Sequence, residues 1–373
     1  MTAPLRAILD CLNASYPLAW AAAGDRVGLQ VGDPAAPVDA LLVALEASPA
    51  VVAEAGSRGA QALLTHHPLI YQPLTEVRED GPFGRLLAGI LRAGLALVAC
   101  HTNLDVAPEG LNDYLAGLLE LAHAAVLAET GRDRWFKLTV FTPLGYEDRV
   151  RQALFDEPRV GVIGRYSHCS FTARGQGTYL PLAGARPFRG EVDRLSRAEE
   201  ARLEVLVPES RLEAVVARMQ AAHPYEEVAY DLYPLANPGL ALGFGRIGDW
   251  PEPRPFGEVI ARVKEIFGVE RVRVWGHPPE RVGRLAVCGG SGGELIAAAR
   301  TQGAQVYLTG EVRHHQAVPG DLEGFAILEV GHFASEVVFM PEWARRLEQL
   351  LAARALAVQV QAAERQTAPF RHL

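Results

Sequence analysis

The stretch Ala62-Leu63-Leu64-Thr65-His66-His67-Pro68 places two adjacent histidines at the end of an apolar run. A short apolar run bounded by polar residues and a proline is typical of a buried strand in a parallel sheet. In open α/β sheets, ligands bind outside the carboxyl ends of the strands. The stretch therefore predicts an α/β fold with a binding site where this strand ends.

Two further polar clusters follow apolar runs in the same way. His101-Thr102-Asn103-Leu104-Asp105 comes after the run Leu95–Cys100, and Gly331-His332-Phe333-Ala334-Ser335-Glu336 comes after Phe325–Val330. His332 and Glu336 stand at positions i and i+4, which lie on one face of a helix. Three clusters of imidazoles and carboxylates at strand ends predict one metal site.

The spacing of these residues predicts a centre with two divalent metal ions. Neighbouring residues on an extended chain point to opposite sides, so we expect His66 and His67 to reach different ions. The carboxylate of Glu336 has two oxygens and can bridge both ions. We assign His66, Asp105 and Glu336 to one ion, and His67, His332 and Glu336 to the other. Nitrogen and oxygen ligands of this kind suit Zn, Mn, Fe or Ni better than Ca or Mg.

Two more histidines are candidate catalytic residues. His101 begins the second cluster, and His315 follows Gly310-Glu311. An imidazole titrates near neutral pH and can transfer protons, or it can hydrogen-bond to a metal ligand and fix the orientation of that ligand. Each of these histidines is equally compatible with a structural role as a hydrogen-bonded polar residue.

Length, charge and cysteine content limit the class of protein. A chain of 373 residues exceeds the size of most single cores, so at least two domains are expected. The net charge of −8 argues against nucleic acid and anionic membranes as partners. The four cysteines contain no C-x-x-C pair, which predicts a reducing, cytoplasmic location without a disulfide framework. Neither a signal peptide nor a membrane-spanning run is predicted.

The pattern of apolar runs predicts two βα-rich halves, at 1–130 and 250–373, which form one discontinuous metal-binding domain. Helices are expected to begin near Glu294 and Ser335. The predicted strands are Asp39–Glu46, Gln61–Thr65, Leu95–Cys100, Arg284–Cys288, Gln305–Thr309 and Phe325–Val330.

Residues 131–249 interrupt this rhythm with segments rich in glycine and proline. They continue with a predicted strand at Ala201–Val207, a helix at Glu209–Ala222 and a strand at Glu227–Tyr233. The order predicts a small α+β domain inserted between the two halves.

Two other stretches have open interpretations. Cys288-Gly289-Gly290-Ser291-Gly292-Gly293-Glu294 is predicted to follow a strand and open a helix, where backbone N–H groups can bind a phosphate. It matches neither nucleotide motif, and a tight turn is at least as compatible. His223-Pro224-Tyr225-Glu226-Glu227 mixes ionisable and aromatic groups in the manner of a ligand surface. Because the sequence shows no partner cluster for it, we favour a structural role at the start of a strand.

The motifs as a set resemble the GTP cyclohydrolase 1 type 2 homologs, the NGG-interacting-factor-like family of dinuclear metal proteins. The resemblance covers nearly the whole chain, and the insert resembles that of the family's longer members. The motifs that carry it are Asp25–Gly32, Leu64–Pro68, His101–Asp105, Thr309-Gly310-Glu311 with His315, Gly331-His332 and Ser335-Glu336, and, in the insert, Gly164, Tyr166, Cys169-Ser170-Phe171, Gly175–Thr178, His223–Glu227 and Gly243–Gly248.

The resemblance implies a two-metal centre formed by the five ligands assigned above. It also implies a ring-shaped homohexamer whose sites face an internal cavity, and an insert similar to the PII signalling fold, which is ferredoxin-like. Two residues depart from the family pattern: Glu46 and Glu311 stand where aspartate is usual.

Our first functional hypothesis is a metal-dependent hydrolase that acts on GTP, or on another nucleotide or phosphoester, through a metal-activated water. The alternative is a metal-binding regulatory or assembly protein without turnover. A PII-like insert favours that alternative, although fold does not determine function. A third hypothesis, a ring that threads nucleic acid, requires a basic interior, and the overall acidity of the chain argues against it.

Overall fold

The structure is a computed structural model that describes residues 2–318 and 324–370. Its internal contacts divide the chain into two compact units. Unit 1 consists of Met1–Thr130 and Leu242–Leu373, and unit 2 is Gly131–Ala241. Both contain helices and strands, which confirms the mixed α/β class.

The first part of the chain alternates strands and helices as far as Leu118. Its elements are β1 (Ala3–Pro4), α1 (Leu5–Ser15), β2 (Gly28–Val31), β3 (Pro37–Val38), β4 (Ala40–Ala44), α2 (Pro49–Ser57), β5 (Ala62–Thr65), α3 (Pro82–Arg92), β6 (Ala96–Ala99), α4 (Thr102–Val106), α5 (Leu111–Leu118) and β7 (Ala122–Asp133).

The middle part follows the order β-α-β-β-α-β. Its elements are β8 (Trp135–Pro143), α6 (Glu147–Phe155), β9 (Ser170–Tyr179), β10 (Ser196–Pro208), α7 (Leu212–Ala222) and β11 (Tyr230–Pro234).

The last part returns to alternating strands and helices. Its elements are β12 (Leu240–Pro255), α8 (Phe256–Phe267), β13 (Arg273–His277), β14 (Arg281–Ser291), α9 (Ile296–Thr301), β15 (Val306–Glu311), α10 (His314–Ala317), β16 (Phe325–Glu329), α11 (His332–Val337), α12 (Met340–Ala353) and β17 (Gln359–Ala362). Short 3₁₀ helices lie at Leu18–Trp20, Glu209–Arg211 and Gly293–Leu295.

One sheet of unit 1 has the strand order β17-β4-β5-β6-β2. The first four strands are parallel, and β2 pairs antiparallel with β6 at the edge. Every residue of β5 and β6 is buried, as expected for parallel strands covered on both faces. These two strands confirm the predictions at Gln61–Thr65 and Leu95–Cys100 to within one residue at each end.

The other large sheet of unit 1 has the order β13-β16-β15-β14-β12-β7. Its central strands β14, β15 and β16 are parallel, whereas β12 and β13 pair antiparallel with their neighbours. One hydrophobic core holds side chains from both sheets, such as Leu64 of β5 and Leu308 of β15. The carboxyl ends of the parallel strands in both sheets thus belong to the same folded unit.

Unit 2 contains a four-stranded antiparallel sheet of order β11-β8-β10-β9. Its core joins the strands to both helices, and it includes Leu138, Leu203, Val150 and Met219. The predicted strand Ala201–Val207 lies within β10, and α7 confirms the predicted helix. The last strand begins at Tyr230 rather than at Glu227.

Within the two described ranges, the structure contains no helix that is both long enough and apolar enough to cross a membrane.

Candidate metal centre

The adjacent histidines lie just beyond the end of β5. The N–H of His66 donates to the carbonyl of Ala44 (3.1 Å), and the N–H of His67 donates to that of Leu45 (2.8 Å). In a regular strand consecutive residues do not both bond to the same neighbour, so the alternation of the strand has ended here. The two rings consequently lie side by side, with centroids 5.2 Å apart. The prediction that they point to opposite faces is wrong.

One group of ligand atoms, which we call the inner set, surrounds the buried His66. Its Nε2 lies 3.5 Å from Asp105 Oδ1 and 3.7 Å from Glu336 Oε1. The other ring nitrogen, Nδ1, donates to the carbonyl of Cys100 (2.9 Å). Because that bond holds a proton on Nδ1, Nε2 is the ring nitrogen that can bind a metal ion together with the two carboxylates.

A second group, the outer set, surrounds the other oxygen of the same glutamate. Glu336 Oε2 lies 3.0 Å from His67 Nε2 and 3.1 Å from His332 Nε2, and the two nitrogens are 3.3 Å apart. Ligand atoms on a tetrahedral ion with bonds of 2.0–2.1 Å are about 3.3 Å apart. The three atoms thus have the spacing of ligands around one ion.

Helix α11 carries two of these ligands. His332 is its first residue and Glu336 is one turn later, which confirms that the pair shares one helix face. Ser335 fastens the helix to β14, because its Oγ accepts from the N–H of Gly290 (2.9 Å) and donates to the carbonyl of His332 (2.8 Å). Gly290 is required here: a Cβ on it would lie 2.2 Å from Glu336 Oε1.

The glycine-rich stretch after Cys288 follows a strand and opens a helix, as predicted, although the strand extends further into it than expected. Strand β14 continues to Ser291, so Gly289 and Gly290 belong to the strand, and the 3₁₀ helix Gly293–Leu295 then leads into α9. The N–H of Gly289 donates to Asn112 Oδ1 (3.1 Å), and that of Gly290 is used by Ser335. These groups serve the packing around the centre instead of binding a phosphate.

Carboxylates lie behind three of the imidazoles. Asp25 Oδ1 accepts from His101 Nδ1 (2.9 Å), Glu311 Oε1 lies 3.4 Å from His332 Nδ1, and Glu46 Oε2 lies 3.8 Å from His67 Nδ1. Carboxylates in this position orient a metal-binding histidine and raise its basicity. This role of Asp25 was not predicted from the sequence, although the residue begins the segment Asp25–Gly32 that carries part of the family resemblance. Glu46 and Glu311 are the two departures from the family pattern.

The ligand residues fit a divalent cation. His66 Nε2, Asp105 Oδ1 and Glu336 Oε2 are buried and have no hydrogen-bond partner among the described residues. The neighbouring imidazole nitrogens approach Glu336 Oε2 closely, but without the alignment of a hydrogen bond. Burying unpaired polar atoms is costly, and a buried carboxylate costs several kcal/mol more unless a cation compensates it. An ion at the inner set would satisfy His66 Nε2 and Asp105 Oδ1, and an ion at the outer set would satisfy Glu336 Oε2.

The pKa shifts at the centre follow from the same charges. Burial opposes the ionisation of Glu336, but His332, His66 and His67 outweigh it and hold its pKa well below the usual range. Burial would lower the pKa of His67, yet Glu336 and Glu46 raise it to about 10. Burial raises the pKa of Asp105. A divalent ion favours the deprotonated form of each of these groups.

The two candidate catalytic histidines occupy different places. The ring centroid of His101 lies 5.1 Å from that of His66 and 5.7 Å from that of His67, and donor atoms of the three residues lie within 4.8 Å of one another. His315 is exposed on the short helix α10, outside both donor groups found in the described residues. The catalytic assignments of both residues stay predictions.

Comparison with known proteins gives matches along almost the entire chain. The sequence model of the family described as Duf34/NIF3 (NGG1p interacting factor 3) matches residues 3–369. A protein of Bacillus subtilis named GTP cyclohydrolase 1 type 2 homolog is 39% identical over 366 residues, covering 98% of each chain. A protein of the same name from Mycobacterium tuberculosis is 38% identical over 346 residues, covering 90% of this chain and 89% of its own.

Solved structures show the same fold. A Bacillus cereus protein related to NIF3 superposes with a TM-score of 0.85 at 38% identity and covers 99% of both chains. The Staphylococcus aureus protein SA1388 superposes with a TM-score of 0.69 at 25% identity, covering 100% of this chain and 99% of its own. These matches confirm the family resemblance drawn from the sequence motifs.

Proposed function

The chain belongs to the Duf34/NIF3 family, and we propose that it is a hydrolase with a dinuclear metal centre. The observation that carries the proposal is the position of Glu336, whose two carboxylate oxygens each face a separate group of donors. Oε1 faces the inner set and Oε2 faces the outer set. This division supports the proposal that His66 and Asp105 hold one ion and that His67 and His332 hold the other.

Two divalent ions bound by these residues would supply Lewis acidity and would activate a water for hydrolysis. The chain's own residues hold the ligands in place. The hydrogen bond to Cys100 fixes His66, and α11 fixes His332 and Glu336 relative to each other. His101 keeps its Nδ1 proton toward Asp25, which leaves its other nitrogen to accept or donate a proton beside the centre.

Asp25 remains ionised in this arrangement. Burial opposes its charge, but the bonds from His101 and Thr102 outweigh burial and keep the pKa of Asp25 far below the usual range. An ionised carboxylate can only accept, so it holds the imidazole of His101 in one tautomer. We infer that His101 is the proton-transfer group of the reaction, and that any role of His315 is secondary.

The proposed substrate is GTP, or another nucleotide or phosphoester. The names of the relatives support the first choice, and the pair of cations supports the wider class, because divalent ions stabilise the charge of phosphoryl groups. Zn, Mn, Fe and Ni all suit a shell of imidazoles and carboxylates.

We further propose that unit 2 is an inserted PII-like domain and that the chain assembles into a cytoplasmic homohexamer. The β-α-β-β-α-β order of unit 2 supports the first point, because ferredoxin-like folds share it. The second rests on the family resemblance. Light scattering after size-exclusion chromatography tests it, since any other stable oligomer contradicts a hexamer.

The test of the function compares Glu336→Gln with the wild type. The variant keeps the size of the side chain but removes its charge, so we expect metal content to fall from about two ions per chain to well below one, and hydrolysis of a nucleotide and phosphoester panel to be abolished. Exposed Glu258 on α8 provides the control Glu258→Gln, which should retain both.

Each result separates the alternatives. Two ions with turnover that depends on Glu336 support the hydrolase and identify its substrate class. Two ions without turnover on any substrate favour a regulatory or assembly protein. A wild-type chain that binds no metal contradicts the site itself.

A further inference from the structure

Unit 2 contains a pocket of about 440 Å³, which is separate from the residues of the candidate metal centre. Pockets of about 300–1,000 Å³ are the usual size for small-molecule sites. Its walls come from the end of β9, the following loop at 180–188, Glu200 of β10 and the segment 225–229. The last of these includes part of the stretch His223–Glu227, for which the sequence showed no partner cluster.

The polar part of the pocket is acidic. Its lining includes Glu200, Glu226 and Glu227 but no lysine, arginine or histidine. Glu200 accepts a hydrogen bond from the hydroxyl of Tyr225 (3.0 Å) and forms no ion pair with any described residue. Burial, together with the negative charge of Glu200, raises the pKa of Tyr225, so the phenol keeps its proton and continues to donate.

The position of Glu200 is built into the sheet. Gly175 of β9 lies opposite it, and Gly177 is two residues further along β9, where a Cβ would lie 2.2 Å from Glu200 Oε2. The absence of a side chain at Gly177 therefore lets the carboxylate lie against the backbone of β9. One oxygen is held by Tyr225, and the other remains for a ligand.

The rest of the pocket is apolar and aromatic. Phe188 lies 5.9 Å from Tyr225 between ring centroids, and Tyr179, Leu180 and Leu182 complete this wall. Aromatic faces attract cations; the guanidinium of Arg189 occupies one face of Phe188, 5.6 Å from the ring centroid, so a bound cation would use the ring of Tyr225 or the other face of Phe188. The surface thus combines apolar area with two features that favour positive charge.

We propose that this pocket binds a small organic cation, a primary amine with an apolar body, whose ammonium group is held by Glu200 and whose body packs on Phe188 and Tyr225. The pairing of carboxylate and aromatic rings selects for charge, and the apolar walls select for a hydrophobic chain or ring. The site is independent of the proposed hydrolysis, because none of its residues belongs to the metal centre. Tyr225 in the stretch His223–Glu227 then has a binding role in addition to any structural one.

The test measures binding of three probes of similar shape to the full chain, by calorimetry or ligand-observed NMR. The probes are phenethylammonium, the neutral 2-phenylethanol and the anionic 3-phenylpropionate. Phenethylammonium should bind at least about tenfold more tightly than the other two, since the alcohol can donate a hydrogen bond to Glu200 but forms no ion pair with it, and the anion is repelled by it. Glu200→Gln should remove this preference.

Two controls keep the test decisive. Glu199 is the exposed neighbour of Glu200 on β10 and does not line the pocket, so Glu199→Gln should bind like the wild type. Ala229→Trp places a large ring in the pocket from its exposed wall and should abolish binding of phenethylammonium even if Glu200→Gln fails to fold.

Three outcomes would overturn the proposal. One is equal binding of the three probes, and another is a preference for the cation that survives Glu200→Gln. The third is no binding by any probe; if Ala229→Trp then also changes the oligomeric state, the pocket is instead a contact between copies of the chain. Metal content is measured separately, so failure here is distinguishable from failure of the proposed hydrolase.

Discussion

The inner and outer sets share Glu336 but differ in how their other ligands are held. His66 of the inner set is fully buried and bonded from behind by a backbone carbonyl. His67 and His332 of the outer set are 25% and 33% exposed, and the groups behind them are the flexible side chains of Glu46 and Glu311. The inner set is therefore the more rigid one, and the outer set is more open to solvent and to exchange.

The largest effect is expected from a substitution that disrupts the inner and outer sets at once. In Gly290→Ala the new Cβ would come within 2.2 Å of Glu336 Oε1, so the shared carboxylate must move. We expect loss of both ions and of activity, measured by elemental analysis and turnover. The substitution also places a side chain at a φ of +64°, which costs about 1–2 kcal/mol.

Gly268→Ala is the matched control for that strain. Gly268 has a φ of +62° at the end of α8, and a Cβ there meets no atom within 4 Å. It should lower the free energy of unfolding by a similar amount while both ions remain. Equal metal content in the two variants would show that displacing the Glu336 carboxylate does not affect metal binding. Glu336 would then not be the shared ligand.

The second prediction separates the sets. His66→Ala and His332→Ala should each leave roughly one ion per chain, because each removes a ligand of only one set. The ion that remains in His332→Ala should be released to a chelator more slowly than the ion that remains in His66→Ala, since the inner ligands are buried. His277→Ala, at an exposed position of β13, should behave like the wild type. Identical release rates from the two variants would remove the distinction between inner and outer ions.

The third prediction concerns pH. In the metal-free protein the pKa of His67 is raised to about 10 from an ordinary value of 6.5. Its proton thus stabilises the folded state fully below pH 6.5, and this contribution is lost as the pH rises through 10. A metal must displace that proton, so affinity for zinc should increase with pH across this window, about tenfold per unit for each proton displaced.

Calorimetry in two buffers of different ionisation enthalpy measures the number of protons released on binding. His67→Ala should release fewer protons than the wild type and show a weaker dependence on pH. A wild-type affinity that is constant from pH 6.5 to 8 would contradict the raised pKa.

The smallest effect is expected from substitution of Glu46 and Glu311, the carboxylates that face Nδ1 of the outer ligands. Glu46→Gln and Glu311→Gln each remove a charge that faces Nδ1 of a ligand, and they should weaken binding of the outer ion by about tenfold without changing the inner ion. The loss of metal affinity should be at the low end of the range for such carboxylates, because the side chains of Glu46 and Glu311 are 42% and 54% exposed. Competition titration with a chromogenic chelator measures it. Weaker binding of the inner ion would show that the two sets are coupled.

Much of the candidate centre could be predicted from the sequence because parallel strands bring their carboxyl ends to one edge. The histidines after β5, the cluster after β6 and the ligands of α11 all lie at such ends, and each follows a recognisable apolar run. The prediction that His332 and Glu336 lie on one face required only their i, i+4 spacing and the geometry of a helix.

The remaining features depend on contacts that leave no periodic signal. Asp25 lies in a loop and reaches His101 across 76 residues. The orientation of His66 and His67 depends on where β5 ends, and a pattern of alternation cannot show that. Strand β9 was missed because it has few apolar residues, and every residue of it is exposed or only partly buried. The residues that surround Tyr225 in the pocket were also not predicted, because they come from strands and loops that are distant in sequence.

Strand β17 makes formation of the candidate centre depend on a segment that is synthesised late. Gln359–Ala362 pairs with β4, and the side chain of Gln366 accepts from the N–H of Leu45 (2.6 Å), next to Glu46. The sheet that carries His66 and His67 is therefore completed by residues made about 300 positions later, and contacts so distant in sequence form late. A nascent chain therefore cannot finish this sheet until that segment has left the ribosome.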